Sequence, residues 1–444
     1  MDVGSTAFIL AASMAVALMI PGLALFYGGM VGVRSTLNMI MMVFGAVAVV
    51  GVLWTLFGFS AVFGDSYGGL GLLGNLTEHA GLGDMVVGDE AATLPPALVA
   101  IFQALFAVIT TALIAGALAD RVRFGPWLLF SGLWATLVYF PVAHWVFAFD
   151  SADGAVTGGW IANKLAAVDF AGGTAVHINA GVAALAAVLV IGKRTGWPRQ
   201  ARPSSLPLVA LGAGVLWFGW FGFNGGSALA AGNSASVVML TTFNATCAAI
   251  LAWLFVERLR DGHATTLGGM SGAIAGLVAI TPACGAVSPL GALAIGAIAG
   301  ALCPLAVGLK YRLGYDDSLD VVGVHLVGGL AGTLLIGLFG IADAPSGQAG
   351  LFYGGGFTLL GKQAVAAFAV LGYSFVVTLG ITYLLSKTIG MRLSEEKETT
   401  GADIVEHAEL AYDMEGKPHT PGTGPTPEAV IASAERLTAS AAPK

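Results

Sequence analysis

Basic residues punctuate this chain at every second end of a series of long apolar stretches, and that alternation constrains the fold more than any other feature. The stretches lie near 5–32, 38–63, 97–119, 124–147, 170–192, 207–225, 235–256, 266–281, 288–309, 318–341 and 360–386. Most reach the roughly 20 residues that a helix needs to cross a bilayer, so the chain reads as about eleven spans. Arg34 follows the first; Arg121 and Arg123 follow the third; Lys193, Arg194, Arg199 and Arg202 follow the fifth. Arg258 and Arg260 follow the seventh, Lys310 and Arg312 the ninth, and Lys387, Arg392 and Lys397 the eleventh. The opposite ends carry only Lys164 and Lys362. Cytoplasmic loops are the ones enriched in Lys and Arg, which puts the amino terminus outside and the carboxyl terminus in the cytoplasm. The short stretch 266–281 is marginal by length, but the alternation requires a crossing there. The fold class is an all-α integral membrane protein.

Composition agrees. Charged residues are 10% of the chain and hydrophobic ones 57%, against about 25% charged in soluble domains. The 64 glycines suit helices that approach closely through small-residue faces. The net charge of −7 leaves no basic face for nucleic acid. Cys247, Cys284 and Cys303 are too scattered for a disulfide framework or a metal cluster and read as small apolar packers. Met1-Asp2-Val3-Gly4 precedes the first span without a basic region, so a cleaved signal peptide is not supported. An acidic, Gly-rich loop (Asp65, Glu78, Asp84, Asp89, Glu90) fills 64–96 on the outer side. Residues 1–392 form the membrane domain; 393–444 is a polar cytoplasmic tail, disordered after about 417.

Five spans run inward and the next five return, which predicts two inverted five-helix repeats, about 5–194 and 207–341, with the extra helix 360–386. Leu25-Phe26-Tyr27-Gly28-Gly29 is answered by Gly222-Phe223-Asn224-Gly225-Gly226, and Asp169…His177 by Asp320…His325. His177 stands about 12 Å below the outer end of its helix, and His325 about 7.5 Å above the inner end of its own. In a hydrocarbon core about 30 Å thick, the two imidazoles approach each other near the middle.

A lone histidine in an apolar helix is ordinarily a satisfied core residue; two at matched places in an inverted repeat are functional candidates. Metal ligation fits poorly, because no third ligand stands at suitable spacing. A neutral imidazole has one donor and one acceptor, so a facing pair shares a hydrogen bond and still offers a lone pair. Asp169 reads either as a cap on the fifth span or as a cation contact; Asp320 reads as structural. Trp220, Phe223 and Ser227 share one helix face. His79, His144, His263, His407 and His419 have no matching partner and receive no role.

The run from Asp169-Phe170-Ala171-Gly172-Gly173-Thr174-Ala175-Val176-His177 to Gly192-Lys193-Arg194 resembles the signature of the ammonium transporter family (Amt/Mep/Rh), most like its bacterial Amt members, and the resemblance extends over about 5–415. Trp220-Phe221-Gly222-Phe223-Asn224-Gly225-Gly226-Ser227 and Phe102-Gln103-Ala104-Leu105-Phe106 are similar to further family segments. By that similarity Phe106 and Phe223 are stacked gates, Ser227 is a hydroxyl acceptor at the outer mouth, and Trp220 is a wall residue below the histidines. The sequence departs from the family after Pro141-Val142-Ala143-His144, where a Trp usually faces a bound cation. Phe147 is the best positional match, with Trp145 or Trp160 as substitutes, and a phenyl face is the weaker cation-π partner.

The resemblance implies a plasma-membrane ammonium transporter, not an enzyme, without cofactor or metal. It recruits ammonium at Ser227, Phe106, Phe147 and Asp169 and passes ammonia between His177 and His325, with methylammonium as an analogue. Whether the proton crosses as well stays open. The resemblance also implies a lipid-embedded homotrimer and a cytoplasmic P-II signalling partner, since Gly401-Ala402-Asp403-Ile404-Val405-Glu406-His407 looks like the family's tail. The alternative reading is an ammonium sensor that binds with little flux. A membrane hydrolase lacks a Gly-x-Ser-x-Gly nucleophile.

Overall fold

The structure is a computed structural model that describes residues 1–87, 92–199 and 201–412. Asp89, Glu90, His419 and the expected disorder beyond 417 therefore lie outside the described residues. Among the described residues, ten helices are long and apolar enough to cross a membrane. They are α1 (Val3–Met30), α2 (Thr36–Phe63), α3 (Pro96–Leu118), α4 (Phe124–Phe147), α5 (Gly173–Ile191), α6 (Leu206–Gly226), α7 (Asn233–Asp261), α9 (Pro289–Leu313), α10 (Val322–Phe339) and α11 (Thr358–Thr388). Between α7 and α9 lies the shorter apolar helix α8 (Thr266–Ile280), the stretch that the sequence marks as marginal.

Local chemistry sets the ends. Ser205, Thr265 and Ser288 accept from the backbone N–H groups of Leu208, Gly268 and Gly291, satisfying first-turn donors that have no partner within the helix. Gly262 and Gly314 close α7 and α9 at φ 81° and 75°, the left-handed conformation that glycine adopts without a Cβ clash. α5 and α10 begin a few residues later than the apolar pattern suggests, because each is preceded by an acid-capped turn rather than by more helix.

The two halves interlock through their equivalent helices. α1 packs along α6, and α5 crosses α10. At the second crossing a Cβ on Gly181 would stand 2.3 Å from the backbone nitrogen of Leu326, and one on Gly329 would stand 3.0 Å from Cβ of His177. Backbone thus meets backbone through small residues, each four positions beyond a histidine. α11 braces this pair from outside: Gln363 bonds N and O of Val168 at 2.7 and 2.6 Å, and Ser374 Oγ donates to Asn179 O at 3.1 Å.

Large apolar side chains such as Leu251, Val376 and Phe255 are 70%, 66% and 64% exposed, as expected of a surface whose solvent is lipid. The tail does not trail away at once. α12 (Glu395–Thr400) and α13 (Ala402–His407) fold against the end of the bundle that carries the basic residues, burying Ala402, Asp403 and Ile404. Asp403 Oδ1 accepts from Asn38 N at 2.7 Å, and Glu406 Oε2 from Phe124 N at 2.8 Å.

Candidate functional site

Both histidines sit in π-helical turns, His177 in Gly173–Ile178 and His325 in Val322–Leu326. In the first, the His177 N–H reaches back five residues to Gly172 O at 3.1 Å. Such wider turns re-aim a side chain and recur at functional sites. With α5 and α10 pressed together at Gly181 and Gly329, the two buried rings meet: Nδ1 lies 3.2 Å from Nδ1, with ring centroids 5.3 Å apart and planes 28° apart. Two nitrogens at this distance share one hydrogen, so one ring donates and the other accepts. Two fully protonated rings would aim N–H at N–H. His177 Nε2 is buried with no protein partner.

Towards the end opposite the basic one, Trp220 stacks on His177 at 5.5 Å and 23° and lies 5.7 Å from Phe223. It therefore stands beside His177, between it and Phe223, rather than below the pair as the resemblance implies. Its indole N–H donates to Thr281 Oγ1 at 2.8 Å, and that hydroxyl donates to Leu277 O at 2.7 Å. Thr281 fixes the tilt of the indole, and nothing in the sequence marked it. The free space among His177, His325, Trp220, Phe223, Tyr27 and Leu216 is about 20 Å³, enough for one molecule the size of water.

Phe106 and Phe223 stack at 4.0 Å and 26° and separate this space from an open cavity of about 530 Å³. Phe106, Phe147, Asp169 and Ser227 all line that cavity. Ser227 Oγ donates to Phe223 O at 2.8 Å, which leaves its lone pairs for an incoming donor. Phe147 meets Phe106 edge-on at 6.3 Å. Trp145 instead donates to Leu72 O and packs on Trp160 and Tyr373, so neither tryptophan takes the place of Phe147 at the cavity wall. Phe149, Phe170 and Gln103 also line it. Gln103 and Phe170 lie inside motif segments quoted above, whereas Phe149 had no signal.

The acids divide differently from the sequence pairing. Asp169 is a cap: its Oδ1 accepts from Gly172 N and Gly173 N at 2.8 and 2.6 Å, and its Oδ2 from Thr174 N at 2.8 Å and from the Thr174 hydroxyl. Both oxygens are occupied, so a direct cation contact is not what this carboxylate is arranged for. Its counterpart in the second half is Asp317, not Asp320. Asp317 lies eight residues before His325, as Asp169 lies eight before His177, and accepts from Val321 N and Val322 N at 3.0 and 2.7 Å. Burial, reinforced by neighbouring Asp320, pushes the Asp317 carboxyl up to about 6. Asp320, at φ 64°, makes an ion pair with buried Lys310 at 2.5 Å. Nearby, Arg194 clamps Asp120 and Asp316 at 2.9 and 2.8 Å, and Arg121 is fully buried, its guanidinium lowered to about 10 by desolvation.

Of the other histidines, His144 is buried and bonds Val62 O through Nδ1, His79 pairs with Asp84, and His407 bonds Asn38 Oδ1. None of these three lines either space. Among the described residues no group of three or more His, Cys, Asp or Glu side chains is placed to hold a metal.

The sequence profile of the Ammonium Transporter Family matches residues 7–412. A relative from Mycobacterium bovis named Ammonium transporter is 58% identical, covering 93% of this chain and 91% of its own. One of the same name from Bacillus subtilis is 45% identical, covering 93% and 99%. The crystal structure of Saccharomyces cerevisiae Mep2 superposes with a TM-score of 0.79 at 35% identity, covering 89% of both chains. A structure titled Sensor Amt Protein gives 0.83 at 28% identity, covering 91% of this chain and 98% of its own.

Proposed function

The chain belongs to the ammonium transporter family, and from that premise we propose that it captures ammonium in the Ser227 cavity and conducts ammonia between His177 and His325. It is a multi-pass protein of the plasma membrane. The basic end faces the cytoplasm in this reading, since Lys and Arg mark inner loops.

The observation that carries the proposal is the 3.2 Å approach of two imidazole nitrogens beside an apolar, molecule-wide space. A whole cation there loses its hydration with little in return. Ammonium has a way round that barrier which an alkali ion lacks: it donates to Ser227, rests against the faces of Phe106 and Phe147, and gives up a proton to become a small neutral molecule. Asp169 acts from behind as a fixed negative charge that holds the π-helical turn and favours cations in the cavity. Ammonia then passes the Phe106–Phe223 stack by displacement of the rings and is relayed along the histidine edges. The proton follows by the imidazole pair, entering at His177 Nε2 and leaving from His325, which makes transport electrogenic.

The transporter reading is preferred to a receptor because relatives named transporters stand at 58% and 45% identity, against 28% for the structure titled a sensor. A homotrimer, and a P-II protein docking at the basic end, belong to the same proposal by family resemblance. The test is an ammonium pulse on proteoliposomes with current and internal pH recorded together. Wild type should give both signals; His177→Ala and His325→Ala should lose the current by at least about tenfold, the size of a barrier change of about 1.4 kcal/mol. Wild-type currents in both variants sink the proposal.

A further inference from the structure

The basic end holds a cavity of about 560 Å³ that the conduit does not use, walled by the turn Gly32–Ser35, the segment after α5 and the tail helix α12. Arg34, Arg194, Arg199 and Arg202 line it, with Asp120 and Glu398 as its only acids among the described residues. Those acids are already committed. Asp120 pairs with Arg194 at 2.9 Å; Glu398 pairs with Arg392 at 3.0 Å and accepts from Thr195 N at 2.6 Å. Among the described residues no carboxylate lies within 4 Å of Arg34, Arg199 or Arg202, whereas the salt bridges nearby are all closed. Arg34 spends one hydrogen bond, from Nη1 to Thr399 O at 3.0 Å.

The positive-inside rule explains why arginines gather at this end of the molecule. It does not explain why three of them border one concave space with every neighbouring acid turned to another partner. Like charges that share a cavity repel, and an anion between them removes that cost. Guanidinium forks match phosphate oxygens two at a time. We propose that this cavity is a binding site for a phosphate-bearing anion, held by Arg34, Arg199 and Arg202. The volume of about 560 Å³ leaves room for a second phosphoryl group or for a larger body attached to the first. Both a soluble phosphorylated molecule and the headgroup of an anionic lipid have that chemistry. The site also touches the tail's anchorage, because Arg34 O accepts from Asp403 N at 2.9 Å.

The site stands independently of the ammonium reading. The full chain, in nanodiscs of zwitterionic phosphatidylcholine, is titrated calorimetrically with inorganic pyrophosphate. Expected is saturable binding of one equivalent per chain, weakened as salt is raised and at least tenfold weaker in Arg34→Gln and in the double variant Arg199→Gln/Arg202→Gln. The double variant alters only exposed side chains and should keep the wild-type melting temperature, which shows that it is folded; His177→Ala should keep pyrophosphate binding. A second arm uses discs containing phosphatidylglycerol. A lipid occupant lowers the apparent affinity for pyrophosphate there and enriches phosphatidylglycerol around wild type but not the double variant; a soluble occupant leaves the affinity equal in both discs. The proposal falls if wild type neither binds pyrophosphate saturably nor enriches phosphatidylglycerol, or if binding survives all three substitutions.

Discussion

Thr281 is the residue on which the orientation of Trp220, and through it the environment of His177, depends. Thr281→Val keeps the shape but leaves a buried indole N–H without an acceptor, a loss of about 1–3 kcal/mol, while Thr281→Ser restores the bond. Thermal unfolding and ammonium flux measured together should fall in the first variant and recover in the second. Asp169→Ala removes an acceptor of several N–H groups and should cost about 2 kcal/mol, with flux lost alongside stability; a variant with reduced capture but an unchanged melting temperature contradicts the capping account. At this scale the sequence was partly legible. Paired histidines in apolar helices announce themselves because ionisable groups are costly there. Asp317 did not, since three aspartates at 316, 317 and 320 offer equal candidates, and only the backbone shows which one meets the open turn. Thr281 looks like any threonine near a helix end.

At the scale of elements, two glycines four residues past the histidines decide how closely α5 and α10 cross. Gly181→Ala places a methyl group against the backbone of α10 and should separate the rings, with the current lost and the melting temperature lowered. Gly308 of α9 has open space around it, so Gly308→Ala should be neutral or stabilise by up to about 1 kcal/mol. Helix positions follow from hydropathy to within about five residues at each end, yet the π-helical turns do not, because a one-residue widening leaves the apolar pattern unchanged. The docked tail was legible only as a family likeness. Burial pushes Asp403 up to about 6 and lowers His407, and the two act in opposite senses. A raised acid favours docking most below about pH 4 and loses it as pH rises to 6; a lowered histidine favours docking above its usual value near 6.5 and loses it on acidification. Hydrogen exchange over 395–407, corrected for intrinsic rates, should therefore quicken from pH 4 to 6 in His407→Gln and quicken as pH falls below 6.5 in Asp403→Asn.

For the whole molecule, the two halves bring like parts together: α1 against α6, α5 against α10, ring against ring. The order of the apolar stretches made the succession of helices readable, and ten of the eleven recur as helices long and apolar enough to cross a membrane among the described residues. What charge and hydropathy do not carry is the rotation of each helix about its own axis, which is why Trp220 stands beside His177 instead of beneath it. The meeting of Nδ1 with Nδ1 has a further consequence. A single hydrogen between two near-equivalent rings gives a symmetric scaffold a direction at any instant. Under the proton relay proposed above, each proton that hops through would leave that direction reversed, so the pore would retain a trace of its last turnover. In that relay a second proton would have to wait until the rings exchange their tautomers, and the resetting step would set a ceiling on current that rising ammonium does not lift.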